Sequence, residues 1–173
     1  MIEILIAVGI LATVAILLTQ VLFATTHANK KTELVSAVKE SGNFSLDIIG
    51  RIVRAASSIE TVCDAGETST PSAIVRNADT YQTILRCQSD GNVARIASVS
   101  GGTVSYLSSG TLTLSATGGK TCSDSSLSFS CPLISGVETP LTVTFSLAQP
   151  GTAGSAYEEA RSVFEGTINL RNE

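Results

Sequence analysis

From Ile4 to Ala24 no position is charged, and the only polar side chains are Thr13, Thr19 and Gln20. At the helical rise this run spans about 30 Å, the thickness of a bilayer's hydrocarbon core. Backbone groups in lipid must bond within the segment, so the pattern predicts a helix. Glu3 stands at its start. Beyond the run the pattern changes rather than stopping. Leu34, Val38, Ile49, Ile52 and Ala56 recur at helical spacing, with Leu46 and Val53 alongside, and Lys39, Glu40, Asp47, Arg51 and Arg54 fall between them. That is one apolar face on an otherwise polar helix. No proline precedes Pro71. One helix is therefore expected over residues 1–58, with a membrane or core segment at 1–25 and an amphipathic half at 26–58. Gly9, Gly42 and Gly50 are its weak points, each costing about 1 kcal/mol against Ala.

After Ser58 the period shortens to that of strands. Gln82–Gln88 and Asn92–Val99 flank Asp90-Gly91, a hairpin signal. Thr103–Leu107 and Thr111–Ser115 follow glycine turns, Leu141–Leu147 alternates cleanly, and Val163–Arg171 reads as a last strand with Ile168 and Leu170 on one face. The expected class is α+β: a long N-terminal helix packed on an antiparallel sheet domain at 59–173.

Composition narrows the function classes. The chain has 173 residues, 15% of them charged, a net charge of -4, and no tryptophan. No basic patch speaks for nucleic acid. His27 is the only histidine, and no GxSxG, HExxH or phosphate loop occurs. Asp64, Glu67, Asp79 and Asp90 are scattered, whereas a calcium loop clusters its ligands. Asn43-Phe44-Ser45 has the form of a glycosylation sequon but falls mid-helix. Neither a catalytic set nor a cofactor or metal site is expected. Cys63, Cys87, Cys122 and Cys131 match no zinc or redox spacing and read as two disulfides. Of the three possible connectivities, pairing of near neighbours favours Cys63–Cys87 and Cys122–Cys131.

The string MIEILIAVGILATVAIL, running into an amphipathic helix, resembles the mature N-terminus of type IV pilins and of the pseudopilins of type II secretion. The match covers about the first third of the chain, and the ending INLRN also resembles the last strand of some pilin-like proteins. The resemblance implies a structural subunit and not an enzyme. Such a subunit is cut by a leader peptidase, methylated at its new N-terminus and held in the cytoplasmic membrane by a single pass. It then joins identical copies, through the assembly machinery, in an extracellular helical filament. It also implies that Glu3 pairs with the N-terminal amine of a neighbouring subunit. Ala7, Gly9, Ala12 and Ala15 offer small side chains for close helix packing. The alternatives are a minor pilin or secretion pseudopilin and, from another class, a single-span membrane protein with an extracytoplasmic ligand-binding domain.

Two features depart from that pattern. The family's glutamate usually lies fifth, and here it is third; many members also carry a proline near the end of the span. In addition, Lys30-Lys31 after the span would by the positive-inside rule mark a cytoplasmic end, while an oxidised domain requires the opposite side. A basic leader and further residues ahead of Met1, the leader removed in maturation, would reconcile the glutamate's position and the charge conflict. The mass and sequence of the mature N-terminus test this.

Overall fold

A computed structural model describes residues 2–60, 69–77, 79–115, 119–131, 140–149 and 160–170. Helix α1 runs unbroken from Ile2 to Arg54. Its buried positions are Val38, Gly42, Ser45, Ile49, Gly50 and Val53. Four of their five steps are of three or four residues, so they form the predicted single face. Leu34, Val35, Leu46, Ile48 and Ile52 flank it, half-buried.

The helix ends at Arg54, not near residue 58. Ala55 donates a last hydrogen bond to the Arg51 carbonyl, and strand β1 (Ala56–Ile59) begins at once. Its partner, β2 (Ser72–Asn77), explains the early stop. Ile59 pairs with Val75, Ser58 with Arg76, and the Ser57 hydroxyl donates to the Arg76 carbonyl at 2.9 Å. Serine favours such outside partners over a helix interior. Beyond the strand, Glu60 binds both Arg76 and Gln82, and its hydrogen bond and charge raise the Arg76 pKa.

The sheet domain has two antiparallel sheets. The first has the order β1-β2-β3-β4-β5, with β3 at Gln82–Asp90, β4 at Val93–Ser100 and β5 at Thr103–Tyr106. The expected β3–β4 hairpin forms, but it turns at Gly91-Asn92, one residue beyond Asp90-Gly91, with Asp90 paired to Val93 and Gly91 at φ +60°. The second sheet is β6-β7-β8: Ser128–Ser130, Leu141–Ala148 and Arg161–Ile168. The last strand thus starts and ends earlier than Val163–Arg171, and Arg171 lies outside the described residues. Val163 faces solvent, while Phe164 and Ile168 are buried.

Thr111–Ser115 is not a strand. It forms single bridges, Thr113 to Ala148 and Ser115 to Ser125, and the Leu114 amide donates to the Ala94 carbonyl. The segment ties β4 to β7 and so sews the two sheets together; Leu112 and Leu114 fill the space between. A bridge from Thr70 to Phe129 joins the sheets a second time. Helix and sheets share one core that includes Ile49, Val53, Leu85, Ile96, Phe129 and Phe145.

The cysteine expectation needs correction. Cys87 of β3 is bonded to Cys122, 35 residues on, at the start of a short 3-10 turn packed on that strand. Nearness in sequence lost to the path of the chain, which returns over β3 after β5. Cys131 is also disulfide-bonded; Cys63 lies outside the described residues. Peptide mapping under non-reducing conditions should recover the Cys87–Cys122 pair. Replacing both by serine should cost about 2–4 kcal/mol in denaturant unfolding of the detergent-dispersed chain.

Candidate assembly interface

Two grips hold the helix on the domain and so aim its free half. Gly42 lies against the ring of Phe164 on β8, where the absence of a side chain lets helix and strand approach. Phe164 in turn stacks on Phe145 of β7, with centroids 5.3 Å apart. On the adjoining side Ser45, fully buried, donates to the Leu107 carbonyl at 2.9 Å while also bonding the Ser41 carbonyl. The Ser41 hydroxyl accepts from the Ser109 amide at 3.2 Å. Ser45→Ala should therefore strip a buried carbonyl of its partner and cost about 1–3 kcal/mol by thermal unfolding. Ser45 is also the third residue of the sequon motif, and its hydroxyl is occupied.

Below these grips nothing among the described residues covers the helix. Every described position from Ile2 to Glu33 is exposed, including Ile4, Leu5, Ile10, Leu11, Leu18 and Phe23. By length and composition this helix can cross a membrane. Its hydroxyls suit such a place. Thr13 bonds the Ile10 carbonyl and Thr19 the Ala15 carbonyl, both at 2.8 Å; Thr25, Thr26 and Thr32 likewise return to their own helix. Each such bond lowers the cost of placing a hydroxyl away from water.

Glu3 sits in the first turn, where the helix dipole favours a carboxylate. The three ion pairs among the described residues are Arg51–Asp47, Arg76–Glu60 and Arg95–Asp90, and Glu3 belongs to none of them. Of the small residues, Gly9, Ala12 and Ala15 follow at three-residue steps and neighbour one another on the helix surface. Ala7, two residues before Gly9, does not join them. A side chain at Gly9 would meet nothing within 4 Å. His27 lies on the same exposed stretch, while Asp64 and Glu67 fall outside the described residues. Asp90 is engaged by Arg95 at 2.7 Å.

Sequence reasoning missed a groove of about 490 Å³ beside the grips. Ala37, Glu40 and Phe44 of α1 form one wall, and Tyr106, Leu107 and Ser109 the other. Arg95 also lines the groove. Its guanidinium donates to the Ser108 carbonyl, pairs with Asp90 and lies 4.2 Å from the centre of the Tyr106 ring. One signal was present in the sequence: Phe44 is a large apolar residue off the apolar stripe, and it is 58% exposed. Compared with protein-family models, curated proteins and solved structures, the chain matches none.

Proposed function

We propose that this chain is the structural subunit of a type IV pilus-like filament. In this reading it waits in the cytoplasmic membrane as a single-pass protein and then polymerises outside the cell through its N-terminal helix. One observation carries the reading. A single unbroken helix is docked on its domain from Val38 to Val53 and uncovered, apolar all round, from Ile4 to Ala24. Burying one large aliphatic or aromatic side chain is worth about 1.5–3 kcal/mol. A run of them left in water would cost tens of kcal/mol, far beyond the net stability of a domain. Lipid or other copies of the helix must cover it, and a rigid docking sets the sheet domain as a head on that stalk.

The chain's role is then to hold shape, with copies of itself as partners and a leader peptidase and assembly machinery as processing partners. Glu3 supplies register, because a misplaced neighbour would leave its carboxylate and the partner amine both unpaired in a dry core. Electron microscopy of the full chain after detergent removal tests the proposal. Long fibres built of this one subunit are expected. A chain that stays monomeric in detergent and returns to vesicles as single spans, forming no fibres, would overturn it in favour of a single-span membrane protein.

A further inference from the structure

Outside the apolar span, the exposed large apolar side chains among the described residues are Phe44, Tyr81, Val104, Tyr106 and Val163. Two of these, both aromatic, line the groove between α1 and the end of β5. Arg95 adds no available cation there, since its charge is met by Asp90 and its nitrogens by the Ser108 carbonyl. What remains is an apolar trough with a single carboxylate, Glu40, on its rim.

We propose that this groove seats the upper part of the apolar span of a second copy of this chain. The inference rests on the filament reading above. Charge selects both the occupant and its stagger. A parallel neighbour in the same register would set Glu40 beside Glu40, and like charges at that distance repel. A neighbour displaced by about 20 residues, about 30 Å along the axis, presents Leu17, Gln20, Val21 and Ala24 instead. These four share one helical face by their spacing of three and four. Leu17, Val21 and Ala24 then cover Phe44 and Tyr106. The Gln20 amide comes level with Glu40 and donates to its carboxylate, so the one polar group on that face meets the one charge of the trough. No other uncharged, uncovered surface of this length occurs among the described residues.

A photo-crosslinking amino acid of aromatic size at position 44 of the full chain tests the contact. Mapped by mass spectrometry, the expected crosslinks join position 44 to Leu17–Ala24 of a second copy, in filaments and not in detergent. Phe44→Glu, at an exposed position, should leave the melting temperature of the dispersed chain within about 2 °C of wild type and cut filament yield at least tenfold. Filaments that form normally with Phe44→Glu, or whose position 44 crosslinks only to the sheet domain of another copy, overturn the groove while leaving the filament reading intact. Absence of filaments from the wild-type chain overturns both.

Discussion

On the filament reading proposed above, replacing Glu3 with Ala should leave the membrane-inserted chain intact and reduce filament yield by at least tenfold. The two effects separate because the carboxylate acts in different surroundings. In the membrane Glu3 stands at the very start of the apolar run, in the first turn of the helix. There the dipole contributes about 0.3–1 kcal/mol, so its loss is small. Removing a charge from the edge of a span also eases insertion. In a bundle without lipid the balance reverses. A buried charge left without its partner costs several kcal/mol, and Glu3→Ala leaves the neighbour's amine in that position. A loss of 1.4 kcal/mol per added subunit already shifts each assembly step tenfold. Membrane fractionation with filament yield by electron microscopy reads both halves. Normal filaments from the mutant would remove Glu3 from the assembly mechanism.

Gly42→Ala should destabilise the sheet domain by about 1–3 kcal/mol, although alanine is the better helix former by about 1 kcal/mol. A Cβ at Gly42 would stand 2.1 Å from Cζ of Phe164 and 2.3–2.4 Å from its Cε atoms. The ring has little room to retreat, since Phe164 stacks on the fully buried Phe145. Gly50 provides the contrast on the same helix. A Cβ there meets only the end of the flexible Arg54 side chain, at 3.2 Å. Gly50→Ala is therefore expected to be neutral or stabilising by up to about 1 kcal/mol. Adding Phe164→Leu to Gly42→Ala should recover part of the loss, a coupling that a double-mutant cycle measures. Equal melting temperatures for Gly42→Ala and Gly50→Ala would show that the glycine is not the point of closest approach.

Much of this architecture is legible in the sequence. The apolar run and the face at Val38, Ile49 and Val53 are periodic over many residues, so the long helix could be read, though not its stop at Arg54, which pairing of β1 with β2 sets. The Asp90-Gly91 hairpin and the alternating Leu141–Leu147 strand were legible for the same reason. Short elements without such repetition were not. β2 and β6 are only six and three residues long, and each exists because a neighbouring strand or bridge supplies its hydrogen bonds. Thr111–Ser115 alternates like a strand but spends its hydrogen bonds on two different sheets.

The same division runs through the candidate site. Glu3 and the uncharged run are properties of consecutive residues, and membrane-scale length follows from the rise of a helix alone. So the length and apolar character that let this helix cross a membrane were determined by sequence. The Cys87–Cys122 bond, the fit of Gly42 to Phe164, the Ser45–Leu107 hydrogen bond and the groove at Phe44 and Tyr106 each join residues far apart in the chain. No local propensity encodes which distant partner a side chain meets. That choice belongs to the packing of helix and sheets as a whole, and only the tertiary structure decided it.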